Sequence, residues 1–128
     1  MQPPMAYLIV RWLAVLAALS IAYLYFNYAV FLTWLAPTPV DYEHVDAWTY
    51  EAYLSFGRSL ALVFTALLLG INIRPGWPHL RSKWNLFLVG AVLAALLVPP
   101  GWRFLAIDSC LDAGGRWIYE YERCSSAV

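Results

Sequence analysis

"AYLIVRWLAVLAALSIAYLYFNYAVFLTWLA", residues 6–36, carries one charge, Arg11, in an otherwise uncharged and mostly apolar run. A helix that crosses the hydrocarbon core of a bilayer needs about 20 such residues. This run exceeds that, so a helix here tilts or projects beyond the hydrocarbon. Arg11 sits near its start, where a long side chain can snorkel back to the headgroups. A secretory signal would have an apolar core of only about 7–15 residues and a small-residue cleavage site after it. The expectation is therefore an uncleaved membrane anchor.

Two further runs extend the pattern. "SLALVFTALLLGINI", residues 59–73, stops at "RPGW", where Pro75 and Gly76 break a helix. "WNLFLVGAVLAALLV", residues 84–98, is followed by Pro99 and Pro100, which are expected to end it, while Pro78 is placed to open it. Before the second run, "TPVDYEHVDAWTYEAYLSFG" sets Val45, Trp48, Ala52 and Phe56 at helical spacing. Thr38, Pro39 and Asp41 there read as an N-cap, a first-turn proline and a first-turn acid. The reading is a membrane domain over residues 1–101 with spans at about 8–35, 56–73 and 79–98. An amphipathic outer helix over about 39–57 bends into the second span at Gly57.

Composition agrees. Hydrophobic residues make up 62% of the chain and charged ones 12%, against about 45–50% and about 25% in soluble domains. Net charge is zero, so no basic field exists to hold nucleic acid. Trp12, Trp34, Trp77, Trp84 and Trp102 fall near span ends, as an interfacial aromatic belt requires. The loop "RPGWPHLRSK", residues 74–83, carries Arg74, Arg81 and Lys83 and no acid. The first loop carries Asp41, Glu43, Asp46 and Glu51 and no Lys or Arg. By the positive-inside rule the basic loop faces the cytoplasm, which places the N-terminus inside and the C-terminus in the periplasm. The fold class is thus an all-α membrane protein with three transmembrane helices, its tail in a bacterial periplasm or an equivalent compartment.

The remaining residues, 102–128, form an extracytoplasmic tail that holds both cysteines. In "CLDAGGRWIYEYERC", residues 110–124, the spacing is too wide for a CxxC redox pair, and no histidine stands nearby to complete a zinc site. A structural disulfide between Cys110 and Cys124 is the expectation, since the periplasm is oxidising. The segment also reads as a hairpin. Residues 104–110 are strand-like, "DAGG" supplies turn residues, and the following run alternates. Trp117, Tyr119 and Tyr121 would share one face, with Arg116, Ile118, Glu120 and Glu122 on the other. An isolated hairpin is marginal in water, and a cross-link over a loop of this size adds about 3 kcal/mol.

The C-x-D-x-G-G-x-W…C pattern of this segment resembles one that recurs in small envelope proteins of Gram-negative bacteria, some of them similar to immunity proteins paired with secreted antibacterial toxins. The resemblance covers only the tail and implies a compartment and a protein-binding role, with no catalytic residue. The spans match no family motif.

Chemistry is sparse elsewhere. His44 lies among Asp41, Glu43 and Asp46, but only Asp41 and His44 share a helix face, so the cluster reads as a solvated acidic helix start. His79 lacks a second axial partner for haem. No nucleophile–base pair, phosphate loop or paired intramembrane carboxylate is visible, so neither an enzyme nor a cofactor is expected. Polar residues inside the spans include Tyr23, Asn27, Thr65 and Asn72, candidate interhelical hydrogen-bonding groups; Tyr23 and Asn27, at i and i+4, also form a candidate docking stripe for another membrane protein. Gly90 and Ala94 would permit close helix contact.

The leading expectation is a small integral inner-membrane protein that acts by protein–protein interaction, one version being an immunity protein. Its outer surface would combine Asp41, Glu43, Asp46, Trp48 and Glu51 with Trp117, Tyr119 and Tyr121. The partners are membrane lipids, another membrane or periplasmic protein, and a second copy in a homo-oligomer. The alternatives are an accessory subunit of a transport, secretion or respiratory complex and, from another class, an oligomeric small transporter or channel.

Overall fold

The computed structural model describes residues 4–35, 44–73 and 78–126, with the side chains of 35, 73 and 78–81 excepted. Three long helices and a small hairpin follow in order: α1 (Met5–Leu35), α2 (Val45–Ile73), α3 (Pro78–Asp112), β1 (Arg116–Ile118) and β2 (Arg123–Ser125). All three helices are long and apolar enough to cross a membrane, with windows at Met5–Trp34, Val45–Asn72 and Ser82–Asp112. The chain is an all-α membrane protein. Large apolar side chains stand exposed all round α1 and along α3, Leu86 and Trp102 among them. In water such surfaces would aggregate; in lipid they are the ordinary outer face.

α2 packs against both α1 and α3 and is the central element. On α1 the non-exposed positions are Leu8, Arg11, Val15, Ala18, Ala22, Tyr25, Ala29 and Leu32, and every other described side chain on the helix is exposed. The intervals alternate three and four, the seam of a shallow left-handed helix crossing. On α2 the matching row is Ala52, Ser55, Ser59 and Ala66. These residues are small because lipid gives helices no hydrophobic reason to associate; close backbone approach must supply the attraction. Ser59 exploits it, donating its Oγ hydrogen to the Ala22 carbonyl at 2.8 Å.

The α2–α3 contact is tightest at Gly57. A Cβ there would run into the Ala95 carbonyl and stand 3.2 Å from Pro99 Cγ. Pro99 has no N–H, so it deprives the Ala95 carbonyl of its helical donor. That freed carbonyl lies against Gly57, which has no side chain to keep it away. Gly57 is thus a packing point within a helix that runs unbroken from Val45 to Ile73. Residues 45–57 are continuous with the second span, with Ala52 and Ser55 buried and Asp46, Tyr53 and Phe56 exposed. The expected start near Pro39 lies outside the described residues.

The C-terminal third differs most from expectation. Pro99 and Pro100 do not end the third helix; α3 runs through both to Asp112. Each proline removes a helical N–H and in a helix interior in water costs about 3 kcal/mol; here the Ala95 carbonyl that Pro99 frees is packed against α2 at Gly57. Residues 104–110 are therefore helical, not strand, and the tail expected from residue 102 begins as the last turns of α3. "DAGG" is not the hairpin turn either. Gly114, at φ 73°, donates to the Leu111 carbonyl and Gly115 to the Cys110 carbonyl, both at 2.9 Å. That pair of bonds is a Schellman cap, which satisfies the last carbonyls of α3.

Candidate functional site

Beyond the cap the chain turns back on itself. β1 and β2 pair antiparallel, Arg116 with Ser125, Trp117 with Cys124 and Ile118 with Arg123. The turn is Tyr119–Glu122, closed by Glu122 at φ 49°. Because the strand stops at Ile118, the expected alternation of Trp117, Tyr119 and Tyr121 on one face does not extend past it. Tyr119 is 65% exposed, whereas Trp117 and Tyr121 are half-buried.

Three fastenings hold this hairpin against the helices. The first is the disulfide Cys110–Cys124, with a Cα–Cα separation of 5.7 Å, joining the last turns of α3 to β2. Gly115 is packed beside it; a Cβ there would stand 2.7 Å from Cys124 Sγ. The second is a forked ion pair. Arg103 on α3 donates from Nε to Glu122 Oε2 at 2.8 Å and from Nη2 to Oε1 at 2.5 Å. Such a bidentate pair adds geometric specificity to its charge attraction. The guanidinium also lies 5.2 Å from the Tyr50 ring of α2 and 5.7 Å from that of Tyr119, so one cation ties α2, α3 and the hairpin turn together. The third is aromatic. The His44 ring meets the edge of Tyr121 at 5.0 Å and stacks with Trp48 at 6.3 Å.

The candidate partner surface is thus a compact head in which the start of α2 meets the hairpin. Trp48 and Tyr121 come together through His44. Asp46 stands exposed on the first turn of α2 and Glu51 is half-buried one turn past Trp48. Asp41 and Glu43 lie outside the described residues. Sequence reasoning missed Arg103, Glu122 and His44 as organisers. Arg103 and Glu122 are separated by 19 positions, and no periodicity links a helix residue to a turn residue.

The interhelical polar candidates divide. Thr65 donates to the Ala61 carbonyl of its own helix at 2.7 Å. Asn72 exchanges hydrogen bonds with Asn85 of α3, Nδ2 to Oδ1 in both directions at 3.0 and 3.1 Å. Asn85 had not been singled out as its partner. Arg11 joins them, donating from Nη1 to the Asn72 carbonyl at 2.9 Å and lying 4.6 Å from the Tyr7 ring. It thereby places a cation at the negative C-terminal end of α2 and locks all three helices at the end opposite the head. Tyr23 and Asn27, in contrast, are exposed on α1 and make no interhelical bond among the described residues. Gly90 and Ala94 also face outward, and a Cβ at Gly90 would meet nothing within 4 Å.

Among the described residues no group of three His, Cys, Asp or Glu side chains could hold a metal ion. An open apolar groove of about 420 Å³ runs between α2 and α3 past Tyr53, Gly57, Pro99 and Trp102. These features describe a helical membrane-spanning chain with a cross-linked head. Comparison with protein families, curated proteins and solved structures finds no match for it.

Proposed function

We propose that this chain is a small bacterial inner-membrane protein that works by binding another protein through its head. In this reading the basic loop is cytoplasmic and the head stands in the periplasm, where the Cys110–Cys124 disulfide is stable. The observation that carries the proposal is the threefold fastening of a very small hairpin, by disulfide, forked ion pair and ring contacts, beside an exposed Tyr119 and the acids Asp46 and Glu120. The fastenings hold a hairpin too small to stand alone, and the rigid surface that results favours binding, because less ordering entropy is lost on association.

The specific version is immunity against a toxin that reaches the periplasm or the membrane. Expressing the chain beside candidate toxins tests it directly: protection by the intact chain, lost in Tyr119→Ala and in Cys110→Ser at equal membrane abundance, is the expected result. Wild-type protection by both variants would remove the head from the account. If the chain is instead an accessory subunit, it is degraded when its partner subunits are deleted, whereas an immunity protein accumulates alone.

A further inference from the structure

We infer that the outer face of α1 is a self-association surface on which a second copy of this chain docks through Asn27. Trp12, about two turns inside the start of α1, and Trp34, at its far end, are 53% and 73% exposed, and as interfacial rings they bracket the hydrocarbon. They lie about 33 Å apart along the axis, close to the hydrocarbon thickness of about 30 Å. Tyr23 is equally far in sequence from both and so sits at mid-membrane, 65% exposed. That is the wrong depth for a lipid-facing tyrosine, whose hydroxyl belongs at the headgroups. One turn further on, Asn27 exposes a carboxamide about 10 Å inside Trp34, with no hydrogen bond among the described residues. Ser20 completes the row, its hydroxyl already bonded to the Leu16 carbonyl at 2.8 Å. At i, i+3 and i+7 these residues share one face, on the side of α1 away from the seam of Val15, Ala22 and Ala29.

A carboxamide left unpaired in hydrocarbon is costly, and a neighbouring helix is the usual remedy. The occupant is a second copy for two reasons. Copies in one membrane share an orientation, so a two-fold axis along the membrane normal brings equal depths together and sets Asn27 against Asn27, with Tyr23 beside it. A carboxamide is also self-complementary, one donor and one acceptor meeting their counterparts. The molecule already uses this pairing internally, between Asn72 and Asn85. A carboxylate or ammonium at that position would repel its own copy; an asparagine does not.

The full chain, purified with its Cys110–Cys124 bond intact and returned to vesicles, provides the test. Energy transfer between labelled copies reports association. Asn27→Leu should weaken it by roughly five- to thirty-fold, and Asn27→Gln should retain most of it. A single cysteine introduced as Ser20→Cys or Tyr23→Cys, with Asn27 kept, should cross-link two copies, whereas Leu97→Cys, an exposed site on α3, should not. A wild-type chain that stays monomeric at all protein-to-lipid ratios overturns the inference, as do an Asn27→Leu variant that associates like wild type, an Asn27→Gln variant as weak as Asn27→Leu, or cross-linking at Leu97→Cys as efficient as at Tyr23→Cys.

Discussion

The membrane body and the head are held by opposite means. The body uses alanines, serines and a glycine, with few polar bonds between helices: Ser59 to Ala22, Asn72 with Asn85, and Arg11 to the end of α2. The head uses a disulfide, a forked ion pair and stacked rings around a hairpin whose strands have three residues each. The difference follows from the surroundings. Between lipid-facing helices, close packing is the main attraction available, so small residues carry it. At the membrane edge a two-stranded hairpin buries too little to stand alone, so covalent and ionic fastenings replace the missing core.

The comparison can be broken at its extremes. The largest effect is expected at Gly57. Gly57→Leu drives a side chain into the Ala95 carbonyl and Pro99 and should cost at least about 3 kcal/mol, seen as a drop in melting temperature in detergent. If the variant melts like wild type, α2 and α3 are not packed through this point. Cys110→Ser should remove about 3 kcal/mol from the head while leaving the body intact. Hydrogen exchange should then rise at residues 116–125 and stay low along α1 and α2; a uniform rise would show that body and head are one cooperative unit.

Glu122→Gln keeps the shape but removes the negative charge and one of the two acceptor oxygens in a pair whose side chains are 32% and 11% exposed for Arg103 and Glu122. A loss of about 1.5 kcal/mol is expected, read by a double-mutant cycle with Arg103→Met. Coupling near zero would assign the hairpin's position to the disulfide and rings alone. The smallest effect is expected at Ser59→Ala, about 0.6 kcal/mol, the average for hydrogen bonds between membrane helices. A loss several times larger would mean that polar bonds, and not small-residue packing, hold the body.

The sites of these predictions were unequally visible beforehand. The three spans and the Cys110–Cys124 pairing were legible because each rests on a local quantity: run length in one case, spacing and lack of metal partners in the other. Pro99 and Pro100 misled because rules for where helices stop are drawn from water, where a freed carbonyl has no helix beside it. Gly57 carries a signal whose use is tertiary, because its missing side chain is what admits α3. Tyr119 and Tyr121 were placed on one strand face because alternation continues in the sequence past the point where pairing ends.

Composition and run length by themselves determined that this chain belongs in a membrane, that it crosses with three helices, and that its cysteines lie together in the tail. Only the tertiary structure decided which face of each helix is the seam. α1 is apolar all round, and in lipid a buried alanine and an exposed one are equally at home, so hydropathy holds no record of the row from Leu8 to Leu32. The same holds for the head: Arg103 and Glu122 become partners only because α3 continues through two prolines, and no local pattern links a helix residue to a turn residue 19 positions on.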